Sequence, residues 1–173
     1  MNKLSLAASK SGWCRETGWI VLLRHWVMKA FAVTLLTVWT VLSAGAAELE
    51  WLTDLGKAKA KAKAEKRMVL VDFSGSDWCP PCILLDRNVF STAEFASFAK
   101  DNLVLVQADF PRKKKLSPDL QKANEELGKQ FEVTVFPTVV ILDSAGKQIS
   151  KQESYRGTGA KEYIANLTKL KGS

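Results

Sequence analysis

Two cysteines separated by two prolines lie shortly after an apolar run of strand length, in the segment Trp78-Cys79-Pro80-Pro81-Cys82. The run Met68 to Phe73 is apolar apart from Asp72, as expected for a strand that is buried on both faces. The residues after the pair, as far as Asn88, have helical character. We therefore predict a strand, a short loop and a helix that carries the cysteine pair in or just before its first turn.

This placement would give the two cysteines different tasks. If Cys79 precedes the helix, the positive end of the helix dipole stabilises a thiolate on it, while Cys82 stays shielded in the first turn. A thiolate that attacks a disulfide forms a mixed disulfide, which a second thiol resolves by closing the internal ring. The spacing favours thiol-disulfide exchange with Cys79 as the nucleophile and Cys82 as the resolving thiol.

Other uses of a cysteine pair can be compared with the rest of the chain. A structural zinc site needs four ligands, but the only other cysteine is Cys14 and the only histidine is His25. Covalent haem attachment needs a histidine directly after the second cysteine, where Ile83 stands. A plain structural disulfide stays open, as in many secreted proteins, although a bridge across so short a loop stabilises a fold only weakly.

Residues 29–47 have the pattern of a secretory signal, with a lysine, an apolar run and a stretch of small residues. The apolar run is too short for a membrane span, which takes about 20 residues. Cleavage after Ala46 or Ala47 would leave a mature chain that begins near Glu48. We therefore expect a protein that is exported, to the periplasm or to the outside of the cell.

The residues before this signal fit it poorly, because Arg24 and His25 separate an earlier apolar segment from the main run. We predict that translation starts at Met28; the alternative is a long basic leader. The predicted organisation is an N-terminal extension and signal peptide at 1–47, followed by one domain at 48–173. Neither Cys14 nor His25 would remain in the mature protein, which would work in an oxidising compartment.

The mature chain reads as an alternation of helices and strands. The predicted elements are a helix at 48–66, the strand at 68–73, the helix of the cysteine pair, a helix with a capping box from Ser91, a strand at 103–108, a helix from Ser117 to about Gln130, paired strands at 138–142 and 148–155, and a closing helix at 159–170. This order predicts an α/β fold with a mixed central sheet, helices on both faces and an additional N-terminal helix.

Two lysine-rich segments bear on possible partners. Lysines alternate with alanine between Lys57 and Lys63, and Arg112 to Lys115 form a basic run in a loop. The formal net charge of +7 is contributed in part by the targeting segment. We interpret both lysine-rich segments as solvated surfaces and expect no nucleic-acid partner.

Three motifs occur in order on the predicted elements: Val71-Asp72-Phe73 before the cysteine pair, Phe136-Pro137-Thr138 before an apolar strand, and Arg156-Gly157 before the last helix. With them the chain resembles the thioredoxin family, in its secreted thioredoxin-like branch, over about Met68 to Leu170. The resemblance implies a thioredoxin-like fold. It also implies that Pro137 is a cis-proline facing the disulfide, and that its neighbours Phe136 and Thr138 present backbone groups to an extended substrate.

The resemblance further implies roles around the cysteines. Asp72 would be a buried carboxylate below the pair that accepts a proton from Cys82 as that thiol attacks; the alternative is a satisfied polar residue of the core. Trp78 would shield one side of the motif, although an ordinary packing role stays open. No cofactor is implied beyond the redox-active disulfide between Cys79 and Cys82.

The chain also departs from the family pattern. Asp72 lies one residue further from Cys79 than usual, so the loop between them is longer. Pro80 replaces a glycine, and Ile83 replaces a lysine. The strand at 103–108 lacks the lysine that often pairs with the buried acid, so we expect a raised pKa for Asp72.

The double proline leads to a prediction about electron flow. Pro80 and Pro81 have no N–H, so only the helix dipole and the N–H of Cys82 are left to stabilise a sulfur anion on Cys79. A less stabilised thiolate predicts a reductant rather than a strong oxidant.

The predicted function is therefore a thiol-disulfide oxidoreductase that exchanges disulfides in exported proteins, as a monomer. A reductant in that compartment would need a membrane-embedded thiol protein as its electron donor. The alternative is a thioredoxin-fold peptide-binding module or chaperone whose disulfide is not catalytic. Copper delivery is a weaker alternative, because the mature chain lacks histidine and has Met68 as its one methionine.

Overall fold

The structure is a computed structural model that describes residues 49–171. The predicted signal peptide, the predicted start at Met28 and the first boundary of the domain fall outside these residues and stay predictions. Within the described part, no helix is both long and apolar enough to cross a bilayer.

A five-stranded mixed sheet forms the centre of the fold. Its strands are β1 (Trp51–Leu52), β2 (Met68–Ser74), β3 (Leu103–Asp109), β4 (Thr138–Leu142) and β5 (Gln148–Glu153), in the spatial order β1-β3-β2-β4-β5. The pairs of β3 with β1 and with β2 are parallel, whereas β4 is antiparallel to both β2 and β5. The apolar runs predicted as strands are therefore the central strands, and the predicted mixed sheet is confirmed.

Helices cover both faces of this sheet. They are α1 (Leu55–Glu65), α2 (Pro80–Leu85), which continues as a π-helical turn at Asp86–Phe90, α3 (Ala93–Asn102), α4 (Pro118–Gln130) and α5 (Ala160–Lys171). One apolar cluster packs α2, α3 and α5 against one face, and a second packs α1 and the end of α4 against the other. The predicted thioredoxin-like α/β arrangement is confirmed.

The beginning of the described chain differs from the prediction. Instead of a helix from Glu48, Trp51 and Leu52 form an edge strand on β3, and α1 starts only at Leu55. The Asp54 side chain accepts the N–H of Lys57 and so caps the helix. The indole of Trp51 packs against Phe90 at a centroid distance of 5.3 Å, so tertiary contacts override the helix predicted for this segment.

The predicted N-cap of α3 is displaced by one residue. Thr92, rather than Ser91, caps α3 by accepting the N–H of Phe95. Ser91 instead ends the π-helical turn, where its N–H donates to the carbonyl of Asp86. The π-helical turn therefore takes up the residue that a capping box would have used.

The register of β2 decides which residues reach the cysteine pair. Side chains alternate along a strand, so Leu70 and Asp72 face the helices that include α2, while Val71 and Phe73 face the opposite cluster. Phe73 pairs with Thr138, the first residue of β4, so the segment before β4 lies at the end of the sheet where β2 ends. The cysteine motif and the Phe136-Pro137-Thr138 motif therefore meet at this end of the sheet.

Candidate active site at the cysteine pair

Cys79 and Cys82 form a disulfide with an S–S distance of 2.06 Å and a Cα–Cα distance of 5.3 Å. Cys79 is the N-cap residue of α2 and Cys82 lies in its first turn, as predicted. Both residues are buried, at 3% and 5% exposure. Burial in the disulfide form therefore does not distinguish a nucleophile from a shielded partner.

The backbone around Cys79 offers its sulfur no hydrogen-bond donor in this form. Pro80 and Pro81 occupy the first two helical positions and have no N–H. The N–H groups of Cys82 and Ile83 both donate to the carbonyl oxygen of Cys79, each at 3.1 Å. The N–H of Cys82, which was expected to remain for the sulfur, is thus engaged elsewhere, and the helix dipole is the remaining backbone contribution.

A tight turn takes up the extra residue between β2 and α2. The carbonyl of Gly75 accepts the N–H of Trp78 at 3.2 Å and that of Cys79 at 2.9 Å. A Cβ atom on Gly75 would lie 2.4 to 2.8 Å from atoms of the Trp78 ring, far inside van der Waals contact. Only glycine lets the indole lie over this turn.

Trp78 is fixed on its other sides as well. Its Nε1–H donates to the carbonyl of Phe110 at 2.7 Å, and its ring meets Phe136 edge-on at a centroid distance of 5.9 Å. Trp78 therefore links the cysteine loop to the segment after β3 and to the residue before Pro137. These contacts fit both a shielding role and an ordinary packing role.

The Phe136–Pro137 peptide bond is cis, the isomer that the resemblance implied. The carbonyl of Pro137 accepts the N–H of Ser154 at 2.8 Å. Within residues 49–171, neither backbone polar group of Phe136 has a backbone partner. Phe136 therefore has a free N–H and a free carbonyl next to Pro137 in the described part of the chain.

Thr138 is placed differently from its expected role. It is fully buried, pairs with Phe73 on one side and with Glu153 on the other, and its hydroxyl donates to the carbonyl of Val135 at 2.7 Å. With strands on both sides, Thr138 has no exposed surface for a substrate. Its contacts position the segment before Pro137 instead.

Exposed apolar side chains concentrate near these motifs. Ile83, Leu84 and Val135 are the large apolar side chains of the described chain with the most exposure, at 40%, 45% and 39%. The first two follow Cys82 directly, and Val135 shortly precedes Pro137. An apolar rim next to a reactive pair suits contact with a polypeptide.

Asp72 lies in a cavity that also reaches Cys82. The cavity has a volume of about 220 Å³ and is lined by Trp51, Asp72, Ser74, Ser76, Cys82, Ile83, Asp86, Phe90 and Gln107. Asp72 is 5% exposed, and its Oδ1 has no hydrogen-bond partner among the described residues. The carboxylate and the second cysteine therefore share one cavity despite the longer loop.

The surroundings of Asp72 favour its neutral form. Burial raises the pKa of Asp72 to about 7; the charges of Asp86 and Asp109 add to this rise, and a hydrogen bond with Ser74 opposes it. The register partner of Asp72 on β3 is the neutral Gln107, and among residues 49–171 no lysine or arginine lines the cavity. The expected raised pKa is confirmed, with burial as its main cause.

Several residues next to the site were not singled out by the sequence. Gln107 was detectable only as the absence of a lysine. Asp109 accepts both the N–H and the hydroxyl of Ser76, at 2.9 and 2.6 Å, and Asp77 binds the loop after β3. These are contacts between segments distant in sequence, for which no local pattern exists.

The raised pKa of Asp72 predicts how stability depends on pH. The unfolded chain has an aspartate pKa of about 3.9, so above that value the folded state holds a proton that the unfolded state has released. As the pH rises from about 4 to 7, the oxidised protein should lose stability, and Asp72→Asn should remove this loss. From pH 5 to pH 8 we expect the free energy of unfolding of wild type to fall by about 2–3 kcal/mol relative to that of Asp72→Asn.

Urea unfolding of both oxidised proteins at the two pH values measures this difference. Asp101→Asn, at an exposed aspartate of α3, is the matched control and should follow wild type. If the free energy of unfolding changes equally in wild type and in Asp72→Asn between these pH values, Asp72 does not have a raised pKa.

Comparisons with known proteins agree with this geometry. A family model described as thioredoxin-like matches residues 50–144. The chain is 34% identical over 122 residues to a Chlamydia pneumoniae protein named disulfide bond reductase DsbH, and the match covers 70% of this chain and 72% of that protein.

Solved structures give the same result. A DsbH oxidoreductase superimposes with a TM-score of 0.68 and 29% identity, covering 77% of this chain and 91% of that chain. A thioredoxin from Thermus thermophilus shares the fold, with a TM-score of 0.52 and 23% identity over 70% of this chain and 86% of that chain. With the family model matching more than half of its length, the chain belongs to the thioredoxin-like family and is a thiol-disulfide oxidoreductase.

Proposed function

We propose that the protein is exported and reduces disulfides in exported proteins through Cys79 and Cys82. The observation that carries this proposal is the N-cap position of Cys79, in front of two prolines and without a backbone donor to its sulfur. The name of the Chlamydia relative, a disulfide bond reductase, supports the same direction of electron flow.

The proposed cycle begins with the reduced pair. The Cys79 thiolate attacks one sulfur of a substrate disulfide, and the other substrate sulfur leaves as a thiolate that takes up a proton. Cys82 then loses its proton and attacks the Cys79 sulfur, which releases the second substrate thiolate and closes the internal disulfide. Two electrons pass from the protein's dithiol to the substrate disulfide, and a thiol donor must return them.

Asp72 is the proposed acceptor of the Cys82 proton. It shares the cavity with Cys82, and its Oδ1 is free of other partners among the described residues. A group whose pKa lies near the working pH both accepts and releases protons efficiently, and burial raises the pKa of Asp72 to about 7. The same cavity gives this carboxylate a route for exchanging the proton with its surroundings.

The proposed substrate groove lies between the two motifs. Phe136 would pair its free main-chain groups with an extended segment of the substrate, beside Pro137. Trp78 would cover one flank, and Thr138 would act as a positioning residue through its bond to the carbonyl of Val135.

The direction of electron flow follows from the state that the site stabilises. A dithiol is a strong oxidant when its reduced form is stabilised, mainly through the thiolate of the attacking cysteine. Here the backbone supplies the helix dipole but no N–H to the Cys79 sulfur. The reduced form is therefore stabilised less, which makes it a better electron donor. In an oxidising compartment, a membrane-embedded thiol protein is the proposed source of electrons.

The attacking and resolving roles can be separated by trapping. Reduced Cys82→Ser should accumulate a mixed disulfide with an oxidised substrate protein through Cys79, because no second thiol is present to release it. Cys79→Ser should form none, and wild type should release product. Mass spectrometry of the quenched mixtures identifies the bond. An adduct formed by Cys79→Ser but not by Cys82→Ser would reverse the assignment, and a double variant that still binds unfolded peptide would favour the chaperone alternative.

Export can be tested on the full chain in a bacterial host. We expect the protein in the periplasmic or extracellular fraction, with a mature N-terminus at Ala47 or Glu48, because residues 29–47 have the pattern of a cleavable signal. A chain that starts at Met28 should behave the same, and one that starts at Glu48 should stay in the cytoplasm. Intact-mass measurement of each fraction gives the result, and an uncleaved cytoplasmic full chain would contradict export.

A further inference from the structure

The basic run Arg112–Lys115, here called the basic loop, is fastened directly to the loop that carries the cysteines. The carboxylate of Asp77 accepts the backbone N–H groups of Arg112, Lys113 and Lys114, at 2.9, 2.7 and 3.1 Å. These bonds lower the pKa of Asp77. Asp77 is the second residue before Cys79, so the basic loop has a fixed position beside the reactive pair.

The four basic side chains of this loop are exposed at this position and have no ion-pair partner among the described residues. The guanidinium carbon of Arg112 lies 3.8 Å from the centre of the Trp78 ring. All four basic side chains are exposed, and none forms an ion pair within 4.0 Å with another described residue. A solvated surface alone would not require the backbone of this loop to be held beside Trp78 and the cysteine pair.

A cavity of about 410 Å³ lies between the basic loop and α4. Its lining consists of Asp109, Phe110, Pro111, Arg112, Lys114, Lys115, Leu116, Gln121, Asn124 and Glu125. The two acidic residues already accept hydrogen bonds from neutral groups, Asp109 from Ser76 and Glu125 from Gln121. The lining holds three cations against these two carboxylates, so it keeps one net positive charge for an external partner.

One buried polar atom of a residue that lines this cavity also lacks a partner. Asn124 is 2% exposed, and its Nδ2 donates to the carbonyl of Asp109 at 2.8 Å. Its Oδ1 has no hydrogen-bond partner in the described chain. A buried acceptor without a donor is unfavourable, so a ligand that brings an N–H to this oxygen would be favoured.

We propose that the basic loop and this cavity bind an acidic, extended segment of the protein whose disulfide is reduced. Carboxylates of that segment would meet Arg112, Lys114 and Lys115, and one of its peptide N–H groups would donate to Asn124. A peptide offers both carboxylates and N–H donors, whereas a phosphomonoester dianion offers acceptors alone. The inference rests on the proposed function and adds its substrate class, which is proteins with aspartate or glutamate near the reducible disulfide.

Synthetic peptides provide the test. Three peptides share one disulfide and one backbone and differ in the flanking residues, which are acidic in the first, the corresponding amides in the second and lysine in the third. We expect the reduced wild-type protein to reduce the acidic peptide about tenfold faster than the amide peptide at low salt. This preference should shrink near 0.15 M salt, where the Debye length falls to about 8 Å.

Charge reversal locates the effect. Lys114→Glu/Lys115→Glu should lose the preference for the acidic peptide and instead favour the lysine peptide. Lys63→Glu/Lys147→Glu is the control with the same change of net charge. Both control positions are exposed and lie at the opposite end of the sheet, near the start of β2 and in the β4–β5 hairpin. This variant should keep the wild-type preference.

Methylation of the peptide tests the Asn124 contact without altering the protein. An acidic peptide with N-methylated flanking amides should lose part of its advantage, because it cannot donate to Oδ1. Equal rates for the acidic and amide peptides, or the same loss of preference in both charge-reversal variants, would overturn the docking site and leave disulfide reduction intact. Failure to reduce any of the peptides would overturn the proposed function together with it.

Discussion

The turn between β2 and α2 is the constraint on which the rest of the site depends. The carbonyl of Gly75 accepts two successive N–H groups, and the missing side chain of Gly75 leaves room for the indole of Trp78. This turn sets Cys79 at the start of α2. It also directs Ser76 and Asp77 towards the segment after β3, so the reactive pair is joined to a second loop and does not stand alone on a helix end.

The buried carboxylate represents the main conflict between stability and function. Asp72 is buried, its Oδ1 has no partner among the described residues, and none of the described residues that line its cavity is a lysine or arginine. Burial therefore raises its pKa to about 7, and the folded protein is destabilised whenever the group is charged. If Asp72 served packing alone, an apolar residue in its place would make the folded protein more stable. Its shared cavity with Cys82 gives a chemical reason for this arrangement.

The elements that follow from local pattern were predictable, and those made by distant contacts were not. The apolar runs of β2, β3 and β4 were recognisable because buried central strands are apolar on both faces. The two-residue strand β1 was missed because it exists only through its pairing with β3.

In the active site, too, some features were predictable from local sequence and others depend on distant contacts. The position of the cysteines relative to α2 followed from their spacing, whereas the cis bond before Pro137 was implied only by resemblance. The enclosure of Thr138 between two strands depends on the register of the sheet, and the bonds from Asp77 to the basic loop join segments over 30 positions apart in the chain. Such contacts follow from the packed fold, and no short sequence pattern specifies them.

The proposed role as a reductant depends on a Cys79 thiolate that the site stabilises only weakly. The reduction potential of the Cys79–Cys82 pair can be measured by equilibrating the mature chain with defined thiol buffers and counting free thiols by mass. A weakly stabilised thiolate should give a value near about −270 mV, in the range of reducing thioredoxins. A value of about −120 to −180 mV, as in oxidases and isomerases, would contradict it.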